Sequence, residues 1–281
     1  MEIDGRKIQK KIFKELQNDI EILWEKESLS PCLGIIVIGQ RKDSQTYVRM
    51  KKKACDKLNI SYKQYSLSDD ICEQDIIDHV NLLNNNKNVH GILIQLPLPE
   101  GIDEHKVINT MLPDKDIEGM TDINMGRMLR GEKGYYNCTP VGCIRLLDEY
   151  EVPIEGADIV IIGCGKVGLP LSILLMQRHA TVTMCDIKTK NTEEKCRNAD
   201  IIISCVGKTN LITERHIHEN SVVLDVGINV NKNGKLEGDM SSDLKKCVKM
   251  ASPVPGGVGP MTVSILIYNL VKKTIEEVNF K

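Results

Sequence analysis

The 281-residue sequence lacks the features that mark several broad classes of protein. Its formal net charge is −2, so it carries no excess of positive charge for binding nucleic acid or an anionic membrane. No apolar run approaches the roughly 20 residues that cross a bilayer. The charged N-terminus also lacks the apolar core of a signal peptide. These absences predict a cytoplasmic protein with no membrane or nucleic-acid partner.

The ten cysteines form no Cys-x-x-Cys pair. Because zinc sites need close ligand spacings, the sequence predicts no metal site. Cys185 and Cys205 lie inside apolar runs, which predicts buried free thiols in a reducing compartment. His216 and His218 lie two residues apart beside acidic residues, and we interpret them as part of a solvated loop or helix end.

A glycine-rich turn stands between an apolar run and a helical pattern, and it reads Gly163-Cys164-Gly165-Lys166-Val167-Gly168. In such a turn the second glycine lets the backbone approach a pyrophosphate, and the third packs the helix against the strand. Asp186 ends the next apolar run, where a carboxylate can hold the ribose hydroxyls of NAD and repel the extra phosphate of NADP. The pattern predicts a dinucleotide-binding unit, and a turn that binds nothing is the alternative.

Strand and helix patterns alternate along the chain. Apolar periodicity predicts helices over 6–27, 44–58, 73–84 and 262–278 and after the glycine turn, and strands over 33–38, 61–67, 91–95, 157–162, 180–185, 200–205 and 222–226. This order predicts two α/β domains with parallel sheets and a site in the cleft between them. We place a catalytic domain over 1–121 and a Rossmann domain over 122–281, and helix 262–278 is free to pack back on the first domain.

Three polar residues of the first half lie where they can serve a site. Tyr47 and Lys51 are four apart on a predicted helix and share a face, so a desolvated lysine there can act as acid or base. A solvated basic face is the alternative, since Lys51 begins a run of three lysines. Gln95 ends a predicted strand, where its amide can orient a lysine or tie down the proline loop that follows.

Two further segments invite either a functional or a structural interpretation. Glu118 ends the string Lys115-Asp-Ile-Glu, where its carboxylate can bind amino and ring N–H donors of a substrate; a helix cap or surface ion pair is the plainer interpretation. Residues 252–262 hold three prolines and three glycines. They predict a rigid wall against a flat ligand, with a turn that links domains as the alternative.

In combination these motifs resemble those of the bifunctional methylenetetrahydrofolate dehydrogenase/cyclohydrolase family over nearly the whole chain. The strings that carry the resemblance are residues 44–51, 91–99, 113–119, 138–142, 225–229 and 253–262. The resemblance implies oxidation of methylenetetrahydrofolate by a nicotinamide dinucleotide and hydrolysis of the methenyl product to formyltetrahydrofolate. It also implies a homodimer formed through the nucleotide domain.

The resemblance assigns roles to individual residues. Lys51 is implied as the acid/base group of the hydrolytic step, with Gln95 holding it in position. Tyr47 lines the folate ring, and Glu118 stands where the family has an aspartate that grips the pterin. Further folate contacts are implied for Ser44, Gly259 and Pro260. Cofactor contacts are implied for Gly163, Cys164, Gly165, Lys166, Val167, Gly168, Asp186, Ile187, Val206, Gly207, Ile228 and Thr262.

The cofactor turn departs from the family pattern in two ways. The family's Gly-Arg-Ser-x-x-Val-Gly is one residue shorter here and lacks the arginine that contacts the NADP phosphate. The family's Cys-His-Ser is Cys185-Asp186-Ile187. Both changes predict NAD over NADP, although Lys166 and Lys188 can still recruit a phosphate.

Three other functions stay open from the sequence. One is a dehydrogenase alone, with hydrolysis weakened by the change to Glu118. The second is a non-catalytic module that senses NAD. The third is a two-domain amino-acid dehydrogenase, which shares the layout but has no need of the Gln95-Leu-Pro-Leu-Pro99 string.

Overall fold

The computed structural model describes residues 1–231 and 234–279. Its helices are α1 (Gly5–Glu27), α2 (Lys42–Lys57), α3 (Glu73–Asn85), α4 (Glu104–Asn109), α5 (Asp122–Arg130), α6 (Cys138–Glu149), α7 (Gly168–Met176), α8 (Thr192–Arg197) and α9 (Val258–Asn279). Its strands are β1 (Cys32–Ile38), β2 (Ser61–Leu67), β3 (Gly91–Gln95), β4 (Asp158–Ile162), β5 (Thr181–Cys185), β6 (Ile201–Ser204), β7 (Val222–Asp225), β8 (Asn229–Val230), β9 (Leu236–Glu237) and β10 (Met250–Ala251). Short 3₁₀ turns cover Glu214–His216 and Leu244–Cys247.

The chain divides into two compact units. The first unit comprises residues 11–136 and the chain from Val263 onward; the second unit comprises residues 1–10 and 137–262. The predicted boundary at residue 121 therefore falls inside the first unit. Helix α9 contacts the first half of the chain, since Asn269 Nδ2 donates to the carbonyl of Ile117 and Lys272 pairs with Asp19.

The first unit contains a parallel sheet in the order β2-β1-β3. The central strand β1 is an unbroken apolar run and all seven of its residues are buried, as expected for a parallel strand covered by helices on both faces. The edge strand β2 is far more polar and mostly exposed or half-buried. Because parallel strands end at the same edge, residues just after β1 and β3 are brought together.

The second unit contains a five-stranded sheet in the order β10-β7-β6-β4-β5, and every pairing in it is parallel. Strands β6 and β7 are fully buried, and β5 forms one edge. Residues 1–10 belong to this unit because the amide of Ile3 donates to the carbonyl of Ala251 in β10, over 2.9 Å. Strands β8 and β9 form a separate antiparallel ribbon.

The predicted fold class is confirmed, and each predicted helix and strand is present. The limits of the predicted strands agree within one residue at either end, because most of these strands are short apolar runs with abrupt ends. The final helix begins four residues earlier than predicted, at Val258, so Gly259 and Pro260 lie in its first turn rather than in the loop. Proline is tolerated there because the first amides of a helix have no partner within it. No described helix combines the length and apolar character needed to cross a membrane.

Candidate functional site

The buried ammonium of Lys51 forms an ion pair with a half-buried carboxylate in the first unit. Its Nζ lies 2.9 Å from Oε1 of Glu118, and the residue is 6% exposed. Lys53, two residues further along α2, is exposed. The two lysines therefore differ in their access to solvent. Tyr47 lies one turn earlier on the same helix and is partly exposed. A partly exposed aromatic ring beside a buried cation suits a flat ligand with polar edges.

Glu118 reaches Lys51 because the segment before it runs alongside β3. The amide of Ile92 donates to the carbonyl of Lys115 over 2.8 Å, and Ile92 and Asp116 form a parallel bridge. Asp116 is fully buried and holds the following turn: its carboxylate accepts from the amides of Met120 and Thr121. The turn that carries Glu118 is therefore rigid.

Lys115 has a structural role in the same string. Its Nζ donates to three carbonyls at the C-terminal end of α3, those of Leu83, Asn84 and Asn86. Carbonyls at a helix end have no partner within the helix, so the lysine caps them. Burial lowers the pKa of the Lys115 ammonium. Lys115 thus caps α3, a role the sequence did not indicate, whereas Glu118 forms an ion pair with Lys51.

Gln95 ends β3 and is buried. Its Nε2 donates to the carbonyl of Leu96 over 2.9 Å, which ties down the proline loop. Its Oε1 is buried without a hydrogen-bond partner among the described residues. Such an oxygen costs about 1–3 kcal/mol when unpaired, so a ligand donor is expected there. Lys51 donates to Glu118 in this structure, and the predicted contact between Gln95 and Lys51 stays a prediction.

Ser44 is buried in the first turn of α2. That position is consistent with support of the helix that carries Tyr47 and Lys51, and its role stays a prediction.

In the second unit the three glycines of the turn have different surroundings. Gly163 has a φ of +111°, and a Cβ there would crowd the carbonyl of Cys205. A Cβ on Gly168 would overlap the carbonyl oxygen of Gly163. A Cβ on Gly165 would meet nothing within 4 Å, so the backbone there faces open space. The first and third glycines are needed for packing, and the second leaves room for a phosphate, which fits a dinucleotide.

Asp186 lies beside this turn because β5 pairs with β4. Ile162 is in register with Cys185, and the amide of Gly163 donates to the carbonyl of Cys185 over 2.8 Å. The Asp186 carboxylate is exposed, and its Oδ1 accepts from the amide of Lys188 and from the Thr189 hydroxyl. These contacts hold one oxygen at the carboxyl edge of the sheet. Ile187 is almost fully exposed.

The remaining predicted cofactor residues follow β6 and β7 or begin α9. Val206 and Ile228 are both partly exposed. The backbone after β6 is held by Asp239, which accepts from the amides of Val206, Gly207 and Lys208. Asp239 was not predicted as part of the site, because it lies about 30 residues along the chain from the loop it holds.

The first turn of α9 offers an open backbone in the second unit. A Cβ on Gly259 would meet nothing within 4 Å, and the carbonyl of Pro260 accepts from Nε2 of Gln9. The hydroxyls of Thr262 and Thr139 lie 3.0 Å apart. The folate contacts predicted for Gly259 and Pro260 and the cofactor contact predicted for Thr262 stay predictions.

Within the described residues, no three His, Cys, Asp or Glu side chains gather as a metal site requires. His216 lies at a helix end, as the last residue of the 3₁₀ turn Glu214–His216, but it is buried rather than solvated; its Nδ1 accepts from the amide of Thr213 over 3.2 Å. Burial lowers the pKa of this imidazole. Cys185 is a buried free thiol, and Cys205 is a half-buried one.

Two family models match the chain. The catalytic-domain model of tetrahydrofolate dehydrogenase/cyclohydrolase matches residues 3–118, and the NAD(P)-binding-domain model matches residues 137–278.

Individual relatives are similar over almost the full length. The bifunctional protein FolD of Thermodesulfovibrio yellowstonii is 41% identical over 271 residues, which cover 96% of this chain and 94% of the relative. The solved structure of bifunctional FolD from Campylobacter jejuni is 38% identical with a TM-score of 0.95, covering 99% of each chain. FolD of Trypanosoma brucei, solved with NADP and an inhibitor, is 33% identical with a TM-score of 0.94, covering 99% of this chain and 98% of that one. The chain therefore belongs to the tetrahydrofolate dehydrogenase/cyclohydrolase family, as its motifs predict, and its C-terminal half is an NAD(P)-binding domain.

Proposed function

We propose that the protein oxidises methylenetetrahydrofolate with NAD and hydrolyses the methenyl product to 10-formyltetrahydrofolate. The observation that carries the proposal is the ion pair between buried Lys51 and half-buried Glu118 in a chain of this family. A lysine shielded from water beside a carboxylate is costly to bury, and such groups concentrate where chemistry needs them. A module that only senses nucleotide has no use for this pair.

The oxidation requires mainly that the folate and the nicotinamide are held in the correct relative orientation. When bound, the nicotinamide supplies the acceptor for the hydride. The open backbone at Gly165 would hold the pyrophosphate, and Asp186 would hold the ribose. On the folate side, Glu118 would accept from the amino and ring N–H groups of the pterin while Tyr47 lines its face.

The hydrolysis requires a side chain that acts as a general acid and base. Water adds to the methenyl carbon and loses a proton; the hydroxyl of this adduct then loses its proton while N5 takes one up and its bond to that carbon breaks, so the formyl group stays on N10 and one proton is released overall. We assign the proton transfers to Nζ of Lys51, which Glu118 holds in place over 2.9 Å. The unpaired Oε1 of Gln95 would accept from the attacking water or from a substrate N–H. Because both residues are present, we propose that the cyclohydrolase activity is retained.

Hydrolysis of methenyltetrahydrofolate tests this assignment. We expect Lys51→Ala to lower the rate by about 10²-fold or more, the usual scale of general acid–base catalysis. Lys53→Ala removes an exposed lysine from the same helix and is the matched control, with a rate near that of the wild type. Equal rates in wild type and Lys51→Ala would remove Lys51 from the mechanism. A wild type that oxidises folate without hydrolysing it would favour the dehydrogenase-only alternative.

The preference for NAD rests on the electrostatics beside the ribose. The Asp186 carboxylate would repel the 2′-phosphate of NADP, and the arginine that meets this phosphate in the family is missing. The relative from Trypanosoma brucei was solved with NADP. We therefore expect this chain to differ from that relative in the dinucleotide it uses.

The ratio of kcat/KM with NAD to kcat/KM with NADP tests the preference. We expect the wild type to favour NAD, and Asp186→Ser to shift the ratio toward NADP by about tenfold or more, since about 1.4 kcal/mol corresponds to a factor of ten. Asp200→Asn is the matched control, because Asp200 lies at the opposite, amino end of β6 and its carboxylate accepts from the amide of Asp158. A higher kcat/KM with NADP in the wild type would refute the preference.

We further propose a homodimer in the cytoplasm. Helix α7 is apolar on nearly all sides, yet Leu169 and Met176 are 53% and 51% exposed. Helices of this kind are usually covered, and a second copy of the chain would cover this face. Light scattering on wild type and Leu169→Lys tests it: we expect a dimer that the charge weakens. The ten free cysteines suit a reducing compartment.

A further inference from the structure

The carboxylate of Asp239 collects five hydrogen bonds in the interior of the second unit. The residue is fully buried. Its Oδ2 accepts from the Ser204 hydroxyl at 2.6 Å and from the amides of Val206 and Gly207 at 3.1 and 3.3 Å. Its Oδ1 accepts from the amide of Lys208 at 2.7 Å and from Nδ2 of Asn229 at 3.3 Å. A buried carboxylate is tolerated when donors surround it in this way.

These donors lie in or beside two loops at the carboxyl edge of the sheet. Residues 205–208 form the loop after β6, whose last residue is Ser204, and residues 226–228 form the loop after β7, which Asn229 follows as the first residue of β8. Asp239 belongs to neither loop, because it follows β9. It also packs directly against Gly227, where an added Cβ would overlap its carboxylate. One side chain thus sets the position of both loops.

Asp225 holds Asp239 in turn. Its Oδ1 accepts from the amide of Asp239 over 2.8 Å, and its Oδ2 accepts from the amide of Met240 over 3.1 Å. Nζ of Lys245 lies 2.7 Å from the same Oδ2. A Cβ on Gly238 would overlap the Asp225 carboxylate, so the segment 238–240 is pinned on both sides.

We infer that Asp239 is a positioning residue for the dinucleotide. It draws the amides of residues 206–208 inward, which leaves Val206 partly exposed at the edge where β6 ends. Through Asn229 and Gly227 it holds the neighbouring loop that carries Ile228. The inference rests on the proposed cofactor contacts of Val206, Gly207 and Ile228. A loop already held in its bound form binds more tightly because less order is lost on binding.

Asp239→Asn tests the inference in the full-length protein. The amide keeps the size of the side chain but turns one acceptor into a donor that faces backbone N–H groups. We expect the Kd for NADH, followed by its fluorescence, to rise about tenfold or more, and the KM for NAD to rise with it. The KM for folate and the hydrolysis of methenyltetrahydrofolate without dinucleotide should stay within about twofold, which a general loss of structure would not allow. Ser204→Ala removes a single donor, so its effect on the Kd should have the same direction and be smaller.

Asp116→Asn is the matched control. Asp116 is also fully buried and accepts from two backbone amides, a hydroxyl and an asparagine amide, but in the first unit. We expect its Kd for NADH to match the wild type. An equal loss of NADH affinity in both variants would overturn the inference, because the effect would then be general destabilisation.

Val206→Asp separates the inference from the function on which it rests. This change places a carboxylate at the proposed contact itself, on a partly exposed residue. Weaker NADH binding in Val206→Asp with unchanged binding in Asp239→Asn would overturn the role of Asp239 and leave the cofactor site standing. Unchanged binding in both variants would overturn the proposed contacts of this loop, and the inference with them.

Discussion

At the scale of single residues, side chains of the same type differ by where the fold places them. Lys51 is buried beside Glu118, whereas Lys53 is exposed. The helical phase of α2 already contains this information, because Val48, Cys55 and Leu58 are buried and Lys51 lies on the same stripe. The positions of these apolar residues along the helix therefore predict that Lys51 is buried. The partner Glu118 could not be read in the same way, because it lies 67 residues away.

The ion pair of Lys51 predicts the effect of Glu118→Gln. The amide keeps the length of the side chain but removes the charge that holds the ammonium. Hydrogen bonds to charged groups contribute about 1.5–3 kcal/mol, so we expect kcat/KM for folate to fall by about tenfold or more in both reactions. Steady-state kinetics measures this loss. Asp122→Asn, at an exposed carboxylate that pairs with His105, is the control, and wild-type rates in Glu118→Gln would show that the charge is not needed.

At the scale of elements, strands were easier to predict than short helices. The buried parallel strands are apolar runs, so their limits follow from composition alone. Helix α5 has only nine residues and contains Gly126, and it was not predicted although both of its ends carry signals. The Thr121 side chain caps its first turn by accepting from the amide of Asn124, and Gly131 closes it in the left-handed conformation. Its limits could therefore have been predicted from the caps. The contact between Asp239 and Val206 could not be predicted, since strand β7 and the β8-β9 ribbon separate them along the chain.

The 3₁₀ turn Glu214–His216 predicts a loss of stability in acid. Burial lowers the pKa of His216 below its usual value of 6.5, so the unfolded chain binds a proton that the folded chain excludes. The contribution of His216 to the free energy of unfolding is thus complete above pH 6.5 and is lost as the pH falls through the lowered pKa. We measure the free energy of unfolding in urea at about pH 7 and at about pH 5. Its decrease between the two pH values should be smaller in His216→Asn than in the wild type.

The neighbouring histidine supplies the comparison for this experiment. His218→Asn changes a half-buried imidazole two residues along the chain. If both variants lost the same amount of free energy of unfolding between about pH 7 and about pH 5, His216 would not be the cause of the acid sensitivity.

At the scale of the whole molecule, the ten thiols fall into an accessible set and a sheltered set. Cys72, Cys164 and Cys247 are exposed, and the other seven are buried or half-buried. Burial raises the pKa of the half-buried Cys205 to about 12, which keeps it in the unreactive thiol form. Among the exposed three, Cys164 alone belongs to the glycine turn.

The number of reactive thiols can therefore show whether bound NAD covers Cys164. We expect three thiols to react rapidly with dithionitrobenzoate in the native protein and two at saturating NAD, because the dinucleotide would cover Cys164. Cys164→Ser should show two rapid thiols with or without NAD. If NAD left the reactivity of Cys164 unchanged, its place in the cofactor site would be refuted.

The path of the first ten residues has a practical consequence for subcloning. A fragment cut at residue 137 to isolate the dinucleotide-binding half would leave behind Ile3, which is fully buried, and with it the backbone that lies along β10. Its newly bared strand edge would invite aggregation. Recombinant work on this half alone calls for a circularly permuted gene that joins residues 1–10 back to the rest.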